Sequence, residues 1–250
     1  GSAVYGAIFG RHDYQLAEVP IKLARLPPQL DGFTITQLSD IHLGTFVGED
    51  EMRAALALTA DTRPDLIVLT GDLVDHDPRY AEMLGQWARR LGAIAPVAAV
   101  PGNHDYYSGI RSIHAALRGA GATVLVNDAV FLRDGKLGRD PRPAPGDKRP
   151  GFTLLGVDDV WGGAYGGPGP NLERAVARAH PEAARVALCH NPSTFMKHVA
   201  SVDLQLSGHT HGGQVNLVVR PADYLLRHGF IEGHYQRGGS QLYVNRGFGT

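Results

Sequence analysis

The stretch LSGHTHGGQ, residues 206–214, sets two histidines, His209 and His211, among glycines directly after an apolar run. A short apolar run of this kind predicts a buried β-strand, and glycine lets the backbone turn sharply where the strand ends. Two imidazoles at the end of a strand are either part of an ordinary turn or half of a metal site. The ends of the other strands decide between these two interpretations.

Short apolar runs recur along the chain and alternate, in its first half, with segments of helical periodicity. The runs that predict strands are 33–38, 66–69, 97–100, 124–126, 152–155, 186–188, 204–206 and 242–244. The helical segments are 49–62, 79–91 and 108–118. Strands that alternate with helices predict a layered α/β domain. The aperiodic, Pro- and Gly-rich run 133–151 predicts a long hairpin loop inside that domain.

The composition is that of a globular protein, because 43% of the 250 residues are hydrophobic and 20% are charged. A net charge of −1 argues against nucleic acid as a partner, and a single cysteine excludes an internal disulfide. No apolar run reaches the roughly 18 residues of a membrane span, and no signal peptide is recognisable. Gly1 and Ser2 are expected to be a remnant of expression, so we expect an N-terminal extension over 1–32 and a single domain over 33–250.

Polar residues collect where five of the predicted strands end. They are Asp40 and His42 in SDIHLG, Asp72 and Asp75 in TGDLVD, Asn103, His104 and Asp105 in PGNHD, His190 in CHNP, and His209 and His211 in GHTH. Asp40 and Asp72 are 32 residues apart, and Asp72 and Asn103 are 31 apart, which is the length of one βαβ unit. Successive parallel strands therefore bring these residues to the carboxyl edge of one sheet, where α/β folds bind ligands.

Seven of these residues carry nitrogen or oxygen donors that would converge at that edge. They are Asp40, His42, Asp72, Asn103, His190, His209 and His211. Seven ligands are too many for one small ion and suit two ions that share one carboxylate. Imidazole and carboxylate together favour Mn, Fe, Zn or Ni over Ca or Mg. The pattern thus predicts a centre of two divalent transition metal ions.

The motifs D-x-H, G-D-x-x-D, G-N-H-D, a lone H and G-H-x-H, in this order, resemble those of the calcineurin-like metallophosphoesterase superfamily over about residues 33–250. The resemblance implies a four-layer α/β/β/α sandwich whose second sheet comes from the helix-poor C-terminal half. It assigns Asp40, His42 and His211 to one metal, Asn103, His190 and His209 to the other, and Asp72 to both. It also makes His104 the catalytic histidine, oriented by Asp105, while Asp75 would hold the ligand loops together. Asp75 and Asp105 could instead simply cap the turns that follow them.

The same resemblance implies a metal-dependent phosphohydrolase, with a phosphodiesterase as the first expectation. A hydroxide that bridges the two ions would attack phosphorus, and protonated His104 would stabilise or protonate the leaving oxygen. The sequence has no P-loop and no Ser or Cys nucleophile motif, which argues against ATP-driven work and against a covalent intermediate. A purple acid phosphatase would need a tyrosine at the position of Asp75. Asp158 and Asp159 either line the substrate side of the site or lie in a solvated loop.

Three alternatives remain open. A non-catalytic scaffold would be expected to lack ligands or His104, and a nuclease would need a basic tract that the mixed-charge run 133–150 does not provide. The GHTHGGQ form resembles an envelope-associated bacterial branch, some of whose members act as pyrophosphatases on lipid-linked phosphoesters such as UDP-diacylglucosamine. Residues 215–235, apolar with interspersed arginines, either pack under the second sheet or rest on a membrane surface. We therefore expect a small phosphoester substrate and a protein that is cytoplasmic or peripheral to the bacterial membrane.

Overall fold

A parallel sheet of four strands forms from the first half of the chain, in a computed structural model that describes residues 14, 16–44, 47–139, 150–213 and 229–248. In spatial order its strands are β1 (Ile35–Leu38), β2 (Leu66–Thr70), β3 (Val97–Val100) and β4 (Thr123–Val124). Every neighbouring pair in this sheet is parallel. Parallel neighbours need long crossover connections, and the helical segments supply them.

A second sheet of seven strands forms from the rest of the chain. Its strands are β5 (Asp128–Arg133), β6 (Lys136–Gly138), β7 (Gly151–Gly156), β8 (Arg185–Leu188), β9 (Leu204–Ser207), β10 (Gly233–Arg237) and β11 (Ser240–Val244). They lie in the order β10-β11-β9-β8-β7-β5-β6. The four central strands β11, β9, β8 and β7 are parallel, and antiparallel pairs flank them on both sides.

Alternating side chains of β2 show how the two sheets are joined. Leu66 and Val68 belong to an apolar cluster shared with strands of the second sheet, whereas Ile67 and Leu69 belong to a cluster shared with helices. Because successive side chains of a strand point to opposite faces, a strand buried on both faces reads as an uninterrupted apolar run. The run LIVLT therefore marks a strand that lies between a helical layer and another sheet.

Six helices accompany the sheets in the described part of the chain. They are α1 (Glu49–Asp61), α2 (Ala81–Gly92), α3 (Asn103–Tyr107), α4 (Ile110–Gly119), α5 (Leu172–Val176) and α6 (Phe195–His198). Residues of α1, α2 and α4 pack on the outer face of the first sheet. Ala175 of α5 packs on the outer face of the second sheet with Leu155 and Ala187. The four-layer α/β/β/α sandwich is thereby confirmed, with its second sheet drawn from the C-terminal half.

The prediction of a long hairpin loop over 133–151 is wrong at both ends, because Arg133 ends β5 and Gly151 begins β7. Residues 136–138 form β6, which pairs with β5 through a turn at Asp134 and Gly135, whose φ angles are 51° and 68°. An Asp-Gly pair with positive φ at both residues is typical of the tight turn that joins two hairpin strands. The charged, aperiodic composition of the run gave no indication of this turn. Residues 140–149, in the middle of the expected loop, lie outside the described residues.

The expected N-terminal extension contacts the domain where it is described. Ile21, Leu23, Leu26 and Leu30 pack against the cluster between the sheets. Arg25 forms an ion pair of 2.6 Å with Asp203, the residue before β9. The division of the chain at residue 32 stays a prediction. We propose that these contacts hold the segment before residue 32 against the two sheets.

The apolar segment expected at 215–235 lies largely outside the described residues, which leave out 214–228. Two of the apolar residues of that segment, Phe230 and Ile231, are buried, and Phe230 packs with Phe195, Leu242 and Val244. For these two side chains the packing alternative applies, whereas the membrane contact of residues 215–228 stays a prediction. Among the described residues, no helix combines the length and apolarity that a membrane crossing requires.

Gly156, the last residue of β7, allows us to test how tightly the two sheets are packed. A Cβ atom at Gly156 would overlap Leu125 and would lie 3.0 Å from Cγ1 of Val100 in the first sheet. We expect Gly156→Ala to lower the free energy of unfolding by about 1–3 kcal/mol, as overpacking does. Gly119→Ala, in open space at the end of α4, is the control and should be neutral or stabilising by up to about 1 kcal/mol. Equal urea midpoints for Gly156→Ala and the wild type would show that the sheets are not in close contact there.

Candidate metal centre

The predicted ligands follow the carboxyl ends of strands in both sheets. Asp40 and His42 follow β1, Asp72 follows β2, and Asn103 opens α3 after β3. The second sheet contributes His190 after β8 and His209 and His211 after β9. The prediction of a single sheet edge from the motif spacing is wrong in this respect, because donors come from both sheets, whose strand ends meet here.

Several of these residues have an unusual backbone conformation. Positive φ angles occur at Asp40 (52°), His42 (49°), Asp72 (52°), His209 (74°) and His211 (51°). Non-glycine residues rarely adopt this region, and each such residue costs on the order of 1–3 kcal/mol when surrounding structure enforces it. Backbone strain of this kind concentrates at functional sites. Here it turns the side chains inward immediately after each strand.

Two glycines allow the neighbouring chain to approach the carboxylates closely. A Cβ atom at Gly102 would overlap the carboxylate of Asp72, and one at Gly208 would overlap Ser39 and Asp40. The absence of a side chain lets the backbone N–H of His209 donate to Asp40, at 3.0 Å and 3.1 Å from its two oxygens. These glycines are therefore part of the construction of the site.

One group of donors consists of Asp40, His42, Asp72 and His211, whose ligand atoms lie within 4.8 Å of one another. Nε2 of His42 and Nε2 of His211 are 3.3 Å apart, and Nε2 of His211 is 3.4 Å from Oδ1 of Asp40. Oδ2 of Asp72 lies 3.9 Å from Nε2 of His42. Two ring nitrogens and two carboxylates that converge so closely form a suitable cage for one cation.

A second group consists of Asp72, His190 and His209. Oδ2 of Asp72 is 3.1 Å from Nε2 of His190, which in turn is 3.2 Å from Nδ1 of His209. Oδ1 of Asn103 is buried and has no hydrogen-bond partner, although buried amide oxygens are nearly always paired. An unpaired carbonyl oxygen at this place fits a metal ligand. Asp72 is the carboxylate that both groups share.

The hydrogen bonds of His190 determine which of its ring nitrogens is available to a metal ion. Nδ1 of His190 lies 2.8 Å from the carbonyl oxygen of Thr70, so Nδ1–H donates to it and Nε2 faces Asp72 and His209. Burial lowers the pKa of His190, but the carboxylates of Asp72, Asp40 and Asp159 outweigh this effect and raise it well above its usual value. Burial and His190 lower the pKa of His209 to about 3, so this imidazole is neutral. The donor set, imidazole and carboxylate without a thiolate, fits divalent transition ions.

Asp75 lies beside three histidines. Its Oδ1 is 3.5 Å from Nδ1 of His42, 3.2 Å from Nδ1 of His104 and 2.8 Å from Nδ1 of His76. The carbonyl oxygen of Asp75 is also 3.1 Å from Nδ1 of His104. Asp75 is thus positioned to hold ligand loops together, the role expected of it. His76, which the sequence pattern left outside the site, joins it because it directly follows Asp75.

The hydrogen bonds of Asp105 contradict the expectation that this residue orients the imidazole of His104. Its Oδ1 accepts hydrogen bonds from the backbone N–H groups of Leu73 and Val74, and its Oδ2 accepts one from Gly102. Burial and the charge of Asp72 raise the pKa of Asp105 to about 7, against the opposing effect of these hydrogen bonds. The physical reason is its place as the third residue of α3, from which the carboxylate folds back onto the start of the helix. Asp105 fixes the loops, and Asp75 lies at the imidazole.

Asp158 and Asp159 are completely buried, so the solvated-loop alternative for them is wrong. Oδ1 of Asp158 accepts a hydrogen bond of 2.6 Å from the hydroxyl of Tyr106, and Oδ1 of Asp159 accepts one of 2.9 Å from the backbone of Trp161. Burial raises the pKa of both carboxyls. Their loop is thereby fixed next to α3. The only feature of the sequence that indicated a role for this loop was the adjacent pair of carboxylates.

The comparisons with known proteins agree with this fold and this site. Residues 33–213 match the calcineurin-like phosphoesterase family. The uncharacterized metallophosphoesterase YkuE of Bacillus subtilis is 30% identical over 100% of this chain and 83% of its own length. The phosphodiesterase YaeI of Escherichia coli is 32% identical over 87% of this chain and 76% of its own length.

Solved structures of low identity share the fold. The sulfate thiohydrolase SoxB of Thermus thermophilus superposes with a TM-score of 0.54 at 13% identity, covering 93% of this chain and 53% of that one. The chain also spans only about half the length of some of the curated relatives that it matches. From the family match and the identity to YkuE and YaeI, the chain belongs to the calcineurin-like phosphoesterase family, whose members are metal-dependent phosphoester hydrolases.

Proposed function

We propose that this chain is a dinuclear metal-dependent phosphodiesterase. The observation that carries the proposal is the Asp72 carboxylate, whose Oδ2 faces His190 at 3.1 Å and His42 at 3.9 Å and so belongs to both groups of donors. One carboxylate shared between two sets of imidazoles is the arrangement that holds two ions roughly 3.5–4 Å apart. Asp40, His42 and His211 would hold one ion, and Asn103, His190 and His209 the other.

The bound ions would supply Lewis-acid polarisation of the phosphoryl oxygens and a hydroxide near neutral pH. His104 would act on the leaving oxygen. Nδ1 of His104 faces two acceptors, the carbonyl oxygen and Oδ1 of Asp75, so Nδ1 carries a proton and Nε2 remains for the substrate. A protonated Nε2 can stabilise or protonate the departing oxygen. Asp75 is then a positioning residue that fixes this imidazole.

The preference for diesters is supported by the likeness to YaeI, which is named a phosphodiesterase. All seven predicted donors are present at one edge, which disfavours the non-catalytic scaffold. A lipid-linked substrate is supported by the form of the GHTHGGQ motif and contact with a membrane surface by the composition of residues 215–235, and both stay predictions. We therefore propose a small phosphodiester as the substrate.

Metal content tests the shared carboxylate. We expect two divalent ions per chain in the wild type and fewer than two in Asp72→Asn, because the amide cannot bridge two cations as a carboxylate does. Asp203→Asn is the matched control, since Asp203 forms an ion pair with Arg25 at the amino end of β9, opposite to the end that carries the donors, and should keep both ions. Elemental analysis after saturation and desalting measures the content. One ion per chain with full activity would overturn the dinuclear assignment.

His104→Ala tests the action on the leaving group. The variant should keep both ions and lose turnover by roughly 10²–10⁴-fold, as general acid–base groups do. The loss should be smaller for diesters with acidic leaving groups, since these oxygens need less protonation. Steady-state kinetics over a series of aryl diesters measures this dependence, with His234→Ala on exposed strand β10 as the control.

An equal loss of turnover across all leaving groups would instead assign His104 to electrostatic positioning of the phosphoryl group. Loss of an ion together with the activity would make His104 a ligand. Each of these two outcomes contradicts the role proposed for Nε2 of His104.

A further inference from the structure

Exposed hydrophobic side chains are concentrated beside the metal centre. Seven large ones are exposed in the described part of the chain, and four of these belong to two neighbouring segments. They are Tyr107 at the end of α3, which is 39% exposed, and Val160, Trp161 and Tyr165 after β7, which are 39%, 46% and 51% exposed. A cluster of exposed aromatic rings indicates a binding surface more strongly than isolated exposed residues do.

Two of these rings, Tyr107 and Tyr165, continue directly from the candidate catalytic histidine, and Trp161 is exposed on the same loop as Tyr165. The ring centroid of Tyr107 is 5.4 Å from that of His104, and the ring of Tyr165 is 4.8 Å from that of Tyr107. The phenol of Tyr107 also interacts with the side chain of Asn103. We call Tyr107, Trp161 and Tyr165 the aromatic ledge. It begins at the residues that would act on the phosphoryl group and extends away from them.

Buried contacts fix the loop that carries the ledge. Asp158 accepts a hydrogen bond of 2.6 Å from Tyr106, and a Cβ atom at Gly167 would overlap the hydroxyl of Tyr106. Asn127 donates a hydrogen bond of 2.7 Å to the carbonyl oxygen of Gly169 at the far end of the loop. Rings that are exposed on a loop held in this way are preorganised, so a ligand loses little affinity in ordering them.

We infer that the aromatic ledge is a subsite for a planar aromatic arm, such as an aryl group or a nucleobase, on a small phosphodiester. The inference rests on the proposed function, because the phosphoryl group would anchor the ligand at the metal centre. Tyr107 and Tyr165 meet edge to face at 64°, and both residues stay exposed beyond this contact. Flat faces stack on planar groups and tolerate their polar edges, whereas an acyl chain gains most in an enclosed apolar groove.

Binding of three phosphonates to the metal-loaded protein tests this subsite. Phenylphosphonate and cyclohexylphosphonate have rings of similar size, of which only the first is planar, and methylphosphonate reports on the anchor alone. Calorimetry gives their affinities. Quenching of Trp161 fluorescence reports contact with the ledge, because the other tryptophan, Trp87, is buried in the core. We expect the wild type to bind phenylphosphonate several-fold more tightly than cyclohexylphosphonate.

Truncation of the ledge should remove this preference. We expect Tyr165→Ala and Trp161→Ala each to weaken phenylphosphonate binding by about 5- to 150-fold, the range for loss of one stacked ring, and to leave methylphosphonate binding unchanged. Trp161→Phe keeps a planar ring and should retain most of the preference. Met196→Ala is the control, an exposed apolar residue on α6 at the outer face of the second sheet. Circular dichroism verifies that each variant is folded.

The outcomes separate the subsite from the proposed function. Equal affinity of the wild type for the phenyl and cyclohexyl compounds would overturn the subsite alone, and tighter binding of the cyclohexyl compound would assign the ledge to apolar, lipid-like arms instead. A planar preference that survives in both alanine variants would also overturn it. No binding of any of the three phosphonates would overturn the proposed function and the subsite together.

Discussion

The buried carboxylate of Asp72 is the constraint on which the rest of the site depends. It is 1% exposed and lies at the end of the strand between β1 and β3. One oxygen accepts the backbone N–H of His104 at 2.8 Å, and the other faces His190. A buried carboxylate without partners is strongly unfavourable, so donors or cations must surround it. The absence of a side chain at Gly102 lets the neighbouring loop come close enough to supply a donor.

Both sheets must be held in register for the donors to converge around Asp72. The amide of Gln37 on β1 donates at 2.8 Å to the carbonyl oxygen of Ser207 on β9, and the N–H of Phe248 donates at 2.9 Å to Ser39. These bonds connect the sheets at the edge where the ligands lie, while the apolar cluster between the sheets fixes their distance. The sandwich therefore acts as one rigid support, and a shift of either sheet would separate the two groups of donors.

Much of this arrangement could be predicted, because strand ends in a parallel sheet share an edge whatever the connecting loops do. The five motifs located Asp72 and the donors that converge on it. What could not be predicted depends on tertiary contacts. The direction of Asp105 follows from a helix of five residues that starts at Asn103, where the sequence pattern indicated only a turn. The burial of Asp158 depends on Tyr106, 52 residues away.

Backbone strain and the close approach of the donors occur together at the site. Five of the donor residues hold left-handed backbone conformations, and ring nitrogens approach to 3.3 Å between His42 and His211 and to 3.2 Å between His190 and His209. The strained residues cost on the order of 1–3 kcal/mol each. A cation bound among these nitrogens and carboxylates can offset that cost. Binding of metal and stability of the folded chain are therefore thermodynamically linked, because ions that bind only the folded site stabilise it.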